Sequence, residues 1–222
     1  MRRFTELCLK PENTEEMIST AMSLGYSSVG LSKKTSVDGI DIVKRLDLDP
    51  KNPNELIKSL RSSRWNNEII TVNCRTKTVA RQAGKDNRVD LITYPLSDKW
   101  KQNFLDPQQA NLMKDSNCGY LIDLSLLLID DRYVLGKRIE LLKRNTNNAL
   151  KKDIPVVASS FAADKWGIRD PNGLASLLSL LDIDEELALD TVSRFPNEII
   201  TRNREKLKDT YVLPGVWVIK EN

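Results

Sequence analysis

Short apolar runs alternate with longer amphipathic runs along most of this chain. The short runs are mostly unbroken by polar residues, which is typical of strands buried on both faces. The predicted strands span residues 4–9, 28–31, 42–48, 69–74, 89–94, 120–124 and 155–159. The predicted helices span residues 14–24, 54–64, 77–85, 107–116 and 137–151. Seven strand–helix repeats favour a parallel sheet closed into a (β/α) barrel, with a doubly wound open sheet as the alternative.

The pattern changes after Pro171, where three consecutive helices are predicted at residues 174–181, 184–194 and 196–208. The apolar tail at 211–219 could be an eighth strand or a packed arm. Asp106-Pro107 and Asp170-Pro171 each place a capping acid before a proline, which indicates a helix start. Since no flexible linker interrupts the chain, we expect residues 1–222 to form one domain.

The chain contains no histidine. Histidine is the usual general base near neutral pH and a common metal ligand. Its absence excludes Ser-His-Asp and Cys-His hydrolases, zinc proteases and the histidine-rich metal sites of barrel-shaped phosphoesterases. Three classes of function remain: catalysis by carboxylates, catalysis by a Schiff-base lysine, and binding without catalysis.

The net charge and the cysteine content limit which partners the chain can bind and in which cellular compartment it is expected. The net charge is only +3, so a nucleic-acid surface has to be a local patch. Cys8, Cys74 and Cys118 are odd in number without a CxxC spacing, which indicates reduced thiols and a cytoplasmic protein. No signal peptide is expected, and the most apolar segment, 120–129, is too short to span a membrane.

Residues at the carboxyl ends of the predicted strands are candidates for chemistry, because active sites of parallel barrels lie there. They are Glu6, Cys8, Asp47, Asp49, Cys74, Arg75, Asp123, Ser125, Ser159 and Ser160. Their spacing supports no metal site, and buried apolar cysteines are the commoner reading of Cys8 and Cys74. Lys44 fits a position at an edge or at the barrel mouth better than catalysis, because the neighbouring Arg45 is also charged. Gly136-Lys137 lacks the spacing of a phosphate-binding loop.

Two predicted loops combine cations with large aromatic side chains, a combination that suits RNA. One holds Lys99-Trp100-Lys101, and the other holds Phe161, Lys165, Trp166 and Arg169. For the aromatic residues alone we favour plugs that close the barrel end, since large rings are usually at least partly buried.

Two further segments are strongly basic. Arg75, Lys77, Arg81, Lys85 and Arg88 form one cluster after the fourth strand. The segment 137–152 carries six basic residues and one acid, Glu140. Ile139, Leu142, Thr146 and Ala149 give this segment a core-facing stripe at helical spacing, which leaves a positive outer face.

Four segments together resemble a known family. They are Arg-Val-Asp-Leu-Ile-Thr-Tyr-Pro at 88–95, Gly-Tyr-Leu-Ile-Asp-Leu-Ser-Leu-Leu-Leu at 119–128, residues 155–174 with Ser-Ser-Phe-Ala-Ala-Asp-Lys-Trp-Gly-Ile-Arg-Asp-Pro, and Phe-Pro-Asn-Glu-Ile-Ile-Thr-Arg-Asn at 195–203. This order resembles the archaeal ribonuclease P protein component 3 family, relatives of a eukaryotic ribonuclease P and MRP subunit. One departure is Phe161, where a small residue such as glycine is expected.

The resemblance implies an α/β fold: an irregular TIM-like barrel of about seven parallel strands with extra C-terminal helices. It also implies a non-catalytic, RNA-binding subunit of an enzyme that removes 5′ leaders from precursor tRNA, in which the RNA and its Mg²⁺ ions cleave. The chain itself is expected to hold no cofactor or metal. The implied partners are ribonuclease P RNA, precursor tRNA through the holoenzyme, and a small protein subunit of the particle; no membrane is implied.

The candidate RNA-binding residues come from two sources. The segments that match the family supply Arg75, Arg81, Arg88, Arg169 and Arg202. The basic cluster and the aromatic loops add Lys77, Lys99 and Lys165. The alternative hypothesis is a small-molecule barrel enzyme that uses Asp47, Asp123 or Lys44.

Overall fold

Seven parallel strands form one sheet, in which each strand pairs with the next along the chain. The computed structural model describes residues 2–33, 35–97, 100–213 and 216–218. The strands are β1 (Thr5–Glu6), β2 (Ser28–Leu31), β3 (Asp41–Leu48), β4 (Ile69–Asn73), β5 (Leu91–Thr93), β6 (Gly119–Asp123) and β7 (Val156–Ser159). This order, with helices between the strands, confirms the predicted TIM-like barrel.

The barrel closes irregularly between its two end strands, β1 and β7. The N–H of Cys8 donates to Ser159 Oγ at 3.0 Å, and the Ser159 hydroxyl donates to the Glu6 carboxylate. Beyond the strands, the Lys10 N–H donates to the Ala162 carbonyl at 2.9 Å. Side chains and loop backbone therefore join these two strands where a regular barrel has a strand ladder.

Eight α-helices accompany the strands in the described residues. They are α1 (Thr14–Ser23), α2 (Pro53–Ser63), α3 (Lys77–Lys85), α4 (Pro107–Ser116), α5 (Arg132–Leu150), α6 (Pro171–Ser176), α7 (Glu185–Thr191) and α8 (Arg194–Lys206). As predicted, Asp106 and Asp170 cap α4 and α6, and each accepts backbone N–H bonds in front of a proline.

The strands separate an inner core from an outer one. The outer core lies between the strands and the helices. The inner core joins one side chain from each of several strands to two residues of α8: Leu7, Val43, Ile69, Leu91, Leu121 and Val157 with Ile199 and Ile200. Asn203 of α8 also donates to the carbonyl of Glu68, just before β4. Helix α8 therefore closes the amino-terminal end of the barrel.

Three C-terminal elements differ from the sequence-based expectations. The predicted helix at 174–181 is α6 followed by a 3₁₀ turn at Leu177–Leu181, and the predicted helix at 184–194 ends at Thr191. The tail is not an eighth strand of the barrel. It forms a separate antiparallel hairpin of β8 (Tyr211–Leu213) and β9 (Val216–Trp217).

Helix α5 begins five residues before the predicted start at Lys137. Asp131 explains the difference, because its carboxylate accepts the N–H groups of Tyr133 and Val134 and caps the helix there. Within the described part of the chain, no helix combines the length and apolar character needed to cross a membrane. That residues 1–222 form one domain stays a prediction, and the place of α8 in the inner core supports it.

Candidate nucleic-acid interface

An arginine side chain fills the barrel near the carboxyl ends of its first strands. The Arg45 guanidinium is 1% exposed and donates to the backbone carbonyls of Leu7, Gly30 and Leu9 at 2.7, 3.1 and 3.1 Å. It also forms a two-pronged ion pair with Asp47, at 2.9 and 2.8 Å. Asp47, a candidate of the small-molecule enzyme hypothesis, is therefore engaged by a cation of the chain itself.

Of the other strand-end carboxylates, Glu6 is buried, Asp123 is partly buried and Asp49 is exposed. Burial raises the pKa of Glu6 and of Asp123, although hydroxyl and backbone donors at Ser159 and Ser125 oppose the rise. No group of three Asp, Glu or Cys side chains that could hold a metal ion occurs among the residues with described positions. The expectation that the chain holds no metal of its own stays a prediction.

Lys44 and the cysteines lie in unreactive settings. Arg45 points into the barrel, and Lys44 lines an outer cleft with Ile42, away from the inner core. All three thiols are buried and unpaired. Burial raises the pKa of Cys8 to about 12 and raises that of Cys74, so neither is a thiolate near neutral pH.

Three cations that follow β4, Arg75, Lys77 and Arg81, lie at the carboxyl end of the barrel, and each is paired with an acid. Arg75 is 60% exposed and forms a forked pair with Asp49 at 2.7 and 2.6 Å. Lys77 and Arg81 share Asp106 at 3.1 and 2.8 Å. Because Asp106 caps α4, its pair with Arg81 links α3 to α4. Arg75 instead pairs with Asp49, which lies outside any helix or strand.

The loop after β7 places further cations at the same end. Lys165 pairs with Glu16 at 2.7 Å and lies 5.1 Å from the ring of Trp166. Arg169 donates to the Trp166 carbonyl at 2.6 Å. The indole of Trp166 is 78% exposed, so the plug interpretation is wrong for this residue. The loop presents an aromatic face beside two cations, an arrangement suited to RNA.

The other two rings of these loops are buried or partly buried, and Phe161 fits the plug interpretation. Trp100 is 6% exposed, and its carbonyl accepts a bond from Arg144. Phe161 packs against the inner core. Its backbone has a φ of +54°, in the left-handed region where the family pattern expects a small residue such as glycine.

Two candidate RNA-binding residues lie at the opposite end of the barrel. Arg88 precedes β5 and forms a forked pair with Asp86. Arg202 of α8 donates to the Asn117 carbonyl at 2.9 Å and pairs with Asp90 at 3.4 Å. The structure therefore divides the candidates between the two ends of the barrel. Lys99 lies outside the described residues.

The basic helix α5 uses several of its cations inside the molecule. Arg144 lies 3.7 Å from the ring centroid of Phe104, Lys143 pairs with Asp182, and Arg138 donates to the Leu126 carbonyl at 2.7 Å. The predicted stripe is confirmed, with three of its members buried and Ile139 packed against the core: Leu142, Thr146 and Ala149 are the buried ones.

Comparison with known proteins decides the family. The model of the ribonuclease P subunit p30 family matches residues 3–208. The chain belongs to the ribonuclease P subunit p30 family. "Ribonuclease P protein component 3" of Methanosarcina mazei is 28% identical, over 93% of this chain and 89% of the relative. The protein of the same name from Methanosarcina barkeri is 25% identical, over 99% and 97%.

Solved structures share the p30-family fold. A chain of an archaeal ribonuclease P structure, solved by cryo-EM with mature tRNA, superposes with a TM-score of 0.83 at 20% identity, covering 97% of this chain and 98% of that one. Aspergillus niger ochratoxinase gives a TM-score of 0.62 at 9% identity, covering 90% and 71%. At these identities the likeness concerns the barrel fold alone.

Trp65 is an exposed aromatic side chain of this p30-family member that the sequence analysis missed. Trp65 follows α2 in the 3₁₀ turn Arg64–Asn66 and is 74% exposed. It lines a cleft with Arg88, one of the candidates, and with Lys206. Only the sequence Arg-Trp-Asn-Asn could have indicated it, and a tryptophan at a predicted helix end is usually a core residue.

Proposed function

We propose that this chain is a non-catalytic, RNA-binding protein subunit of ribonuclease P that supports the removal of 5′ leaders from precursor tRNA. The observation that carries the proposal is the family match over residues 3–208. The absence of histidine and the position of Arg45 in the barrel support a role without chemistry of its own. The proposal assigns cleavage to the RNA and its Mg²⁺ ions, and it assigns no cofactor to the chain.

The proposed partners are ribonuclease P RNA, precursor tRNA within the holoenzyme, and a small protein subunit of the same particle. The names of the relatives and of the archaeal particle support this assignment. We also propose that the chain works in the cytoplasm, and its three unpaired cysteines support a reducing compartment.

At the carboxyl end of the barrel, we propose that Arg75, Lys77, Lys165 and Arg169 contact RNA phosphates beside Trp166. Their present partners are carboxylates or carbonyls, and the carboxylates that pair with Arg75 and Lys165 are exposed. Exposed ion pairs contribute only about 0–1 kcal/mol, so a phosphate can replace the carboxylate at small cost.

Reconstitution tests the proposal. A particle assembled without this chain should cleave precursor tRNA more slowly than the complete particle at equal RNA concentration. The purified chain should cleave neither RNA nor phosphoesters with Mg²⁺, Mn²⁺ or Zn²⁺. Hydrolysis that follows the chain through purification, and is lost in Asp47→Asn or Asp123→Asn, would instead favour a barrel enzyme.

A further inference from the structure

Two clefts adjoin the same exposed side chain, Trp65. The first has a volume of about 440 Å³ and lies between the end of α2 and the end of α8. The second has a volume of about 570 Å³ and also borders Lys44 and Glu68. Both volumes fall in the roughly 300–1,000 Å³ range of small-ligand sites. No ring or cation covers Trp65 among the described residues, in contrast to Trp100 and Trp166.

The first cleft carries an excess of positive charge. Four of its ten lining residues are cations and none is acidic: Arg61, Arg64, Arg88 and Lys206 are the cations. Arg64 pairs with Asp90, and Arg88 pairs with Asp86, behind the cleft wall. The side chains of Arg61 and Lys206 make no hydrogen bond or ion pair within the part of the chain that the structure describes. These two cations are therefore available to an anion.

The pKa of Lys206 reflects the positive charge of the first cleft. Burial lowers the pKa of its ammonium group, and Arg202 and Arg64 lower it further, although Asp90 opposes them. A bound anion would remove the repulsion and stabilise the charged lysine. The cleft is therefore suited to a phosphate at its cationic side.

Four of the six other lining residues are apolar or aromatic: Leu60, Trp65, Leu207 and Tyr211, beside the amides Asn87 and Asn203. An uncovered indole next to cations is the arrangement that binds single-stranded nucleic acid, where bases stack on rings and phosphates meet Lys and Arg. An acidic peptide would satisfy the cations but would offer the indole no flat partner. The chemistry of the cleft therefore favours RNA.

We propose that the cleft between α2 and α8 binds an unpaired nucleotide of the ribonuclease P RNA, with its base stacked on Trp65 and its phosphate against Arg61 and Lys206. The inference rests on the proposed function, and it adds a second RNA contact at the amino-terminal end of the barrel. The carboxylate of Glu68 borders the second cleft and would repel a phosphate, so the phosphate is assigned to the first cleft. Arg88 lines the occupied cleft, and Arg202 supports its potential from α8.

The test uses the reconstituted particle and measures the affinity of the protein subunits for ribonuclease P RNA at several salt concentrations. Trp65→Ala should weaken binding about tenfold, the scale of one lost base–aromatic stack, and Trp65→Phe should restore most of it. Arg61→Ala with Lys206→Ala should reduce the slope of log affinity against log salt by roughly one, because both side chains are assigned to the same phosphate. Lys58→Ala, an exposed lysine on α2 that does not line the cleft, should change neither.

Ultraviolet crosslinking then identifies the nucleotide at Trp65. A crosslink to ribonuclease P RNA that disappears in Trp65→Ala supports the proposal. A crosslink to precursor tRNA alone, or a loss of protein-subunit affinity with unchanged RNA affinity, overturns it. If the parent particle binds RNA and Trp65→Ala binds equally well, only this cleft is wrong. If the parent chain contributes nothing to RNA binding or cleavage, the proposed function fails as well.

Discussion

The guanidinium of Arg45 and the carboxylate of Asp47 form a two-pronged ion pair at 2.9 and 2.8 Å, with the arginine inside the barrel and the aspartate reaching solvent. Three backbone carbonyls of the first two strands and their loops complete the arginine's hydrogen bonds. The cation thus joins β1, β2 and β3 just beyond the end of the short strand β1. TIM barrels commonly use this end for chemistry, whereas here the Arg45 side chain fills part of it and ties the first strands together.

Arg45→Ala should lower the free energy of unfolding by about 3–5 kcal/mol, because it leaves a cavity and unpaired buried carbonyls. Urea denaturation measures the change. Lys44→Ala, the neighbouring residue on the outer face, is the control and should stay within about 0.5 kcal/mol of the parent. Equal effects of the two substitutions would show that Arg45 does not hold the strands together.

The seam between β1 and β7 should make stability depend on pH through Glu6. Burial raises the pKa of this carboxyl in the folded chain, so the folded state holds its proton at pH values where the unfolded state has released it. Glu6 therefore destabilises the fold progressively as pH rises from the ordinary glutamate pKa toward the raised one. Glu6→Gln should remove that slope.

Unfolding of the parent and Glu6→Gln between pH 4 and pH 8 measures this contribution, with the range chosen to begin near the ordinary glutamate pKa of about 4.3. The stability of the variant relative to the parent should increase with pH. Glu12→Gln serves as the control, since Glu12 is exposed in the loop after β1. A relative stability that is constant across this range would contradict a raised pKa.

Most of the barrel could be predicted because each strand carries its own signal. Strands β2, β4 and β6 are short, mostly apolar runs, and capping acids precede prolines at α4 and α6. Periodicity and helix capping depend on residues that are close in sequence, so they can be recognised before the fold is known.

The candidate site could be predicted less well because charge in a sequence does not show its partner. Arg81 is one basic residue among several in the sequence, but the fold brings it to Asp106, 25 positions away. Trp65 follows a helix and resembles a core residue, and only the fold shows that its ring is exposed between two clefts. Such pairings depend on contacts between distant segments.

Backbone strain at Phe161 predicts an unusual order of stabilities. The residue has a φ of +54°, a conformation that costs most residues about 1–2 kcal/mol and glycine almost nothing. Phe161→Ala and Phe161→Gly both remove the ring, so comparing them isolates the backbone. We expect Phe161→Gly to be more stable than Phe161→Ala by about 1 kcal/mol in urea denaturation.

A matched pair of substitutions shows whether the left-handed backbone is responsible for this order. At Ser62, an exposed site within α2, alanine should be more stable than glycine. If alanine is also preferred at position 161, the left-handed conformation does not persist in solution.

The candidate arginines at the carboxyl end of the barrel should separate into an RNA-binding group and a structural one. Arg75→Ala and Arg169→Ala combined should leave the fold intact and slow precursor-tRNA cleavage by the reconstituted particle. Each lost phosphate contact should flatten the dependence of RNA affinity on salt by roughly one unit of slope. Arg81→Ala should in addition lower the free energy of unfolding by roughly 1–3 kcal/mol, since it removes the donor of two glutamine side chains at the α3–α4 junction and one of the two cations that pair with Asp106.

Unfolding of each variant, measured beside cleavage and salt dependence, separates the two roles. Lys114→Ala is the matched control, because Lys114 is an exposed cation on α4 with a surface partner, Asp153. It should change neither stability nor the salt slope. If the Arg75 and Arg169 variant assembles, cleaves and responds to salt like the parent, RNA does not contact this end of the barrel. The basic outer face of α5, where Lys151 and Lys152 follow the last turn, then becomes the next surface to substitute.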